Sequence, residues 1–158
     1  MENYNEQFMS EAIRLAVENV KSGNGGPFGA VVVKDGKIVG KGVNSVTSSN
    51  DPTAHAEVLA IRNACSVLSS FQLDGCEIYS SCEPCPMCLG AIYWARPARL
   101  YFAGTKKDAA NSGFDDSFIY NEISMPCGER KIHSLEVVHK DKLTPFNEWK
   151  NKTDKTEY

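Results

Sequence analysis

The sequence predicts an α/β fold, a three-layer α/β/α sandwich on a mixed central sheet of about five strands. Two observations predict it. Short apolar runs bounded by glycine, proline or aspartate alternate with longer stretches whose apolar residues recur at helical spacing. The first two strands are joined by Asp35-Gly36, a two-residue hairpin signal, so that pair is antiparallel while helices separate the later strands. No internal repeat or linker interrupts the pattern, and residues 1–158 read as one domain.

Over residues 7–20, Phe8, Met9, Ala12, Ile13, Ala16, Val17 and Val20 mark a helix with one buried stripe. It stops at "SGNGGPFG", which only a loop can hold. "FGAVVVKDGKIVGKGVN" is the hairpin, and Asp51, Pro52 and Thr53 are start signals for a helix over residues 53–68. A strand at "CEIYSS", a helix over residues 86–95 ended by Pro97, and a strand at "RLYFAG" follow. The remainder reads as a helical piece after "GFDD", a strand at "SLEVV" and a closing helix around "FNEWK".

Composition narrows the function classes. No apolar run reaches membrane-spanning length, and the acidic, amphipathic start lacks the basic and continuously apolar pattern of a signal peptide, so a cytoplasmic protein without membrane association is expected. Six cysteines are too few for a disulfide scaffold in a chain of 158 residues, and a reducing compartment keeps them as thiols. A net charge of -3 offers no general attraction for phosphate backbones, so nucleic acid is not an expected partner.

The chemistry gathers at two helix starts. Pro86 suits a first helical position, which puts Cys85 at the cap and Cys88 in the first turn, where the helix dipole favours thiolates. The start signals at 51–53 put His55 and Glu57 in the opening turn of another helix. Side chains at helix ends lean back past the first turn, so the two can flank a single ion. One imidazole and two thiolates favour zinc, and three ligands leave a fourth position to water, as catalytic zinc requires. Glu57 is then the base beside that water. The alternative is a closed structural site completed by Cys82, with Glu57 a surface charge.

"HAE" at 55–57 and "PCPMC" at 84–88 resemble the signature of the zinc-dependent cytidine and deoxycytidylate deaminase superfamily. Within it, "GGPFGAVVVKDG", "NDPTAHAEV", "SCEPCPMCLGAIYWARP" and "GFDDSFIY" are similar, in order and spacing, to bacterial guanine deaminases. The resemblance implies a cytidine deaminase-like fold, one zinc per subunit on His55, Cys85 and Cys88, and hydrolysis of a free purine base, guanine to xanthine, with Glu57 shuttling the proton and zinc-bound hydroxide as nucleophile. It also implies Asn44, Phe28 and Asp116 against the purine, a homodimer, and exchange of the C-terminal segment (about 143–158) so that Tyr158 closes over a site. A tRNA adenosine deaminase, a deaminase of guanosine or another amino-heterocycle, and a zinc-stabilised interaction module remain as alternatives.

Individual residues carry competing readings. Asn44 can simply start a loop, but its amide supplies the donor and acceptor that purine edges need. Phe28 and Trp94 can belong to the core or to the pocket. One of Asp115 and Asp116 is an expected helix cap, which leaves the other for substrate. Gly23, Gly25, Gly26 and Gly29 lack the order of a phosphate loop and read as a tight turn.

Overall fold

The computed structural model describes residues 4–158. The chain divides into two compact units, one ending at Ser117 and one running from Phe118 to Tyr158. Among the described residues, no helix is long and apolar enough to cross a membrane.

The first unit holds α1 (Glu6–Ser22), β1 (Gly29–Lys34), β2 (Lys37–Val43), α2 (Val46–Ser49), α3 (Ala56–Leu68), β3 (Glu77–Cys82), α4 (Pro86–Ala95), β4 (Arg99–Gly104) and α5 (Lys106–Asn111). Its sheet runs in the order β2-β1-β3-β4. β1 is antiparallel to both neighbours, and β3 and β4 are parallel. Asp35 and Gly36 both take positive φ, 50° and 71°, as the expected two-residue turn demands.

Alternation along the strands assigns the two faces. Ala30, Val32 and Ile78 pack with Ala56, Ala60, Ala64, Ile92 and Ala95 of α3 and α4, whereas Val31, Val33 and Tyr79 pack with Met9 and Ala12 of α1. The predicted three layers are present.

Small residues set how closely the helices lie. A Cβ on Gly42 would stand 2.0 Å from the Ala56 carbonyl oxygen, and one on Gly40 would stand 2.4 Å from that of Ala60. The start of α3 is therefore pressed against the end of β2. On the other face a Cβ on Gly29 would stand 2.4 Å from the Ala12 carbonyl oxygen. That close approach turns Met9, Ala12, Ala16 and Asn19 inward and leaves Ile13, Val17 and Val20 exposed, so the single buried stripe expected of α1 is corrected to a narrower one.

The second unit contains the rest of α6 (Ser117–Ser124), a 3-10 turn (Cys127–Glu129) and α7 (Thr144–Asn151). The strand expected at "SLEVV" does not form, so the described sheet has four strands where about five were expected. Strand character needs a ladder partner as well as alternating apolar residues, and Leu135, Val137 and Val138 are exposed. None of the described residues of this unit is buried.

Candidate metal centre and catalytic pocket

α3 begins three residues later than the start signals imply, because Asp51 uses one carboxylate oxygen to hold the Thr53 N-H at 2.8 Å and hydroxyl at 2.7 Å in a turn ahead of it. His55 is consequently the N-cap, and Glu57 lies in the first turn. Cys85 is the N-cap of α4, with Pro86 opening the helix and Cys88 in its first turn. The His55 side chain makes no capping bond to its own helix, and it is available to face Cys85.

His55 Nδ1 lies 3.5 Å from Cys85 Sγ and 3.5 Å from Cys88 Sγ. The three ligand atoms lie within 4.8 Å of one another, and they are the group of metal-ligating side chains brought together among the described residues. A tetrahedral zinc with bonds of about 2.3 Å to sulfur and about 2.05 Å to nitrogen requires N···S separations of about 3.6 Å, so the donor set fits zinc. Among the described residues, no fourth donor joins these three to close the site. Cys82 is buried on β3 with its Sγ directed to the Thr105 carbonyl oxygen at 3.6 Å, and burial pushes its thiol up to about 11.

The thiol contact from Cys88 and then the imidazole of His55 hold Cys85 well below the usual thiol range. Cys88 is pushed up, first by its contact with Cys85 and then by burial. The site accepts one thiolate readily and a second only with added positive charge, which a divalent ion provides. His55 is raised by its contact with Cys85.

Glu57 is 5% exposed and receives a hydrogen bond from the Ser80 hydroxyl at 3.0 Å. Desolvation raises its carboxyl above the ordinary range, the direction a proton carrier at neutral pH needs. Sequence reasoning missed Ser80. The available signal was parity, since Ser80 shares its face of β3 with Ile78, which packs toward α3.

Asn44 directly follows β2 and is 8% exposed. The Ser45 N-H bonds the Ala54 carbonyl at 2.9 Å, which ties Asn44 beside the start of α3. Its own N-H donates to the Phe28 carbonyl at 3.1 Å. Phe28 is half-buried against the α3 core and meets Phe114 edge to face, centroids 5.0 Å apart. Phe114 is a second residue that sequence reasoning missed, although it sits in "GFDD".

Asp115 takes the Ser117 N-H at 2.9 Å, and Asp116 is left without that duty. Desolvation raises Asp116, with the Cys85 charge second. Trp94 is 66% exposed on α4, which removes it from the core. Tyr158 belongs to the second unit, where its ring meets Trp149 at 6.5 Å.

Comparison with known proteins agrees with this donor set. Residues 2–104 match the family described as "Cytidine and deoxycytidylate deaminase zinc-binding region". Guanine deaminase of Bacillus subtilis (strain 168) is 59% identical over 153 residues, which cover 97% of this chain and 98% of that protein. The X-ray structure of guanine deaminase from Bacillus subtilis matches with a TM-score of 0.96 at 58% identity, over 98% of this chain and 99% of that one. The tRNA-specific adenosine deaminase of Aquifex aeolicus (strain VF5) is 43% identical over 102 residues, 65% of this chain and 67% of that protein.

Proposed function

Because this chain belongs to the cytidine and deoxycytidylate deaminase family, a membership carried by the match over residues 2–104, we propose that it is a zinc-dependent guanine deaminase, converting guanine and water to xanthine and ammonia. The observation that carries the choice of substrate is 59% identity along 97% of the chain to a guanine deaminase, against 36% along 84% for the tRNA-specific adenosine deaminase of Bacillus subtilis (strain 168).

His55, Cys85 and Cys88 hold the zinc. When bound, the ion supplies positive charge that acidifies water and steadies negative charge on the ring. Glu57 removes a proton from the attacking water and delivers it to the departing amino nitrogen as the bond from C2 to that nitrogen breaks and a C2–O bond forms. Burial suits it to both halves, because a carboxyl with a raised pKa gives a proton back as readily as it takes one. Ser80 fixes which Glu57 oxygen is engaged.

Phe28 stacks against the purine, Asn44 bonds its polar edge, Asp116 accepts from its N-H donors, and Trp94 lines the approach. The working form is a homodimer in which the C-terminal segment, with Tyr158, crosses to close the other subunit's site. The absence of any buried residue among the described residues of the second unit supports this exchange, since Ile132, Leu135, Val137, Val138 and Phe146 need an apolar surface to cover them.

Ammonia release is the test, measured on guanine, guanosine, adenine, cytosine, adenosine and tRNA, with and without a zinc chelator. Chelator-sensitive turnover of guanine is expected. Turnover of adenosine in tRNA with none of guanine would overturn the proposal.

A further inference from the structure

Asn19, near the end of α1, is 3% exposed, yet its amide joins the loop before β1 to the residue that follows β2. Its Nδ2 donates to the Gly26 carbonyl at 2.9 Å and to the Asn44 carbonyl at 2.8 Å. Gly26 in turn donates its N-H to Asn44 Oδ1 at 3.2 Å. The clamp leaves no slack, because a Cβ on Gly25 would stand 2.1 Å from the Asn44 carbonyl oxygen.

The polarity of this arrangement is fixed by its chemistry. Both atoms facing Asn19 are carbonyl oxygens, so the NH2 end must point at them. Asn19 Oδ1 is left buried without a partner among the described residues, a costly placement for an acceptor and one that core packing alone does not call for. The backbone N-H of Gly26 can only donate, so it captures the oxygen end of the Asn44 side chain. Asn44 Nδ2 then has no protein acceptor among the described residues, and it is the end left for a ligand.

We infer that Asn19 is a positioning residue that, through Gly26, holds Asn44 as a hydrogen-bond donor and so selects purines presenting acceptors, the O6/N7 edge of guanine. An asparagine free to rotate would accept from an amino group as readily as it donates to a carbonyl, and would discriminate little between the two. A locked donor rejects rings that lack the acceptor, because the donor is then buried unpaired. The inference rests on the guanine reading above.

The test compares the zinc-loaded wild-type protein with Asn19→Ala and Asn44→Asp. Asn44→Asp keeps an acceptor for the Gly26 N-H and replaces the donor by an anionic acceptor, so it reports even where Asn19→Ala folds poorly. Substrates are guanine, 6-thioguanine, whose C6 sulfur is a weaker acceptor, and 7-deazaguanine, which lacks N7. Both analogues keep the 2-amino group and N1-H. The wild type is expected to prefer guanine in kcat/KM over at least one analogue by roughly tenfold or more, the worth of one well-made hydrogen bond. In both variants that preference collapses to roughly twofold, through a higher KM for guanine, with zinc content unchanged. Equal loss on all three substrates, or no preference in the wild type, overturns the inference. Absence of guanine turnover in the wild type defeats the guanine reading itself.

Discussion

The Ser80 hydroxyl donates to Oε1 of Glu57 across 3.0 Å, and both side chains are buried. One oxygen of the proposed proton carrier is thereby held by a strand. Ser80→Ala should lower kcat by roughly tenfold or more, since a hydrogen bond to a charged group is worth ~1.5–3 kcal/mol. KM and zinc content should stay near wild type, and Ser80→Thr should restore most of the rate. Steady-state kinetics with metal analysis separates this outcome from general unfolding, in which zinc would be lost too.

Glu57→Gln preserves size and the bond from Ser80 but cannot carry a proton. Turnover should fall by roughly 10²–10⁴-fold, the usual worth of a positioned acid-base group. Zinc should be retained at one per chain, measured by metal analysis of the purified variant.

Cys82 separates an open metal site from a closed one. Its Sγ is directed to the Thr105 carbonyl and is not among the three clustered ligand atoms, so Cys82→Ala should leave zinc content unchanged. Cys85→Ala or Cys88→Ala should abolish it. Binding should also weaken on acidification, because thiols and imidazole must shed protons to ligate. Competition with a chromogenic chelator across pH reads both effects.

The contact between β2 and α3 leaves no room for a side chain. Gly42→Ala places a methyl 2.0 Å from the Ala56 carbonyl oxygen and 2.5 Å from the Ala60 nitrogen, both backbone atoms that cannot swing away. A loss of about 3 kcal/mol or more is expected by denaturant unfolding, at the upper end for overpacking. His55 and Glu57 sit on the displaced end, so zinc affinity should fall with stability.

At the surface, hydrogen bonds from Arg14 and then Lys41, the latter at 2.6 Å, hold Glu11 down to about 2 against an ordinary value of 4.5. A depressed carboxyl contributes stability that is fully present above 4.5 and disappears as pH falls through about 2. The stability gap between wild type and Glu11→Gln should therefore be widest at neutral pH, shrink between 4.5 and 2, and narrow further in high salt.

Much of the fold was legible because punctuation residues bound its elements. Pro86 and Pro97 bracket α4, and Gly104 closes β4, so both match expectation at their ends. Asp35-Gly36 marks the hairpin for the same reason. α5 escaped notice because six residues are too few for periodicity, although its Thr105-Asp108 capping box was readable. Residues 134–138 have strand composition, but pairing is not a property of the segment itself. At the site, ligand types and spacing announce His55, Glu57, Cys85 and Cys88, whereas the hydroxyl of Ser80 and the clamp through Asn19 arise only when α1, β2 and β3 are brought together.

The measurement that bears most directly on the zinc site is X-ray absorption at the zinc edge of the purified protein. Two sulfur scatterers at about 2.3 Å and two nitrogen or oxygen scatterers at about 2.0–2.1 Å are expected, the second light atom coming from solvent. Three or more sulfurs, or a protein without zinc, would contradict it.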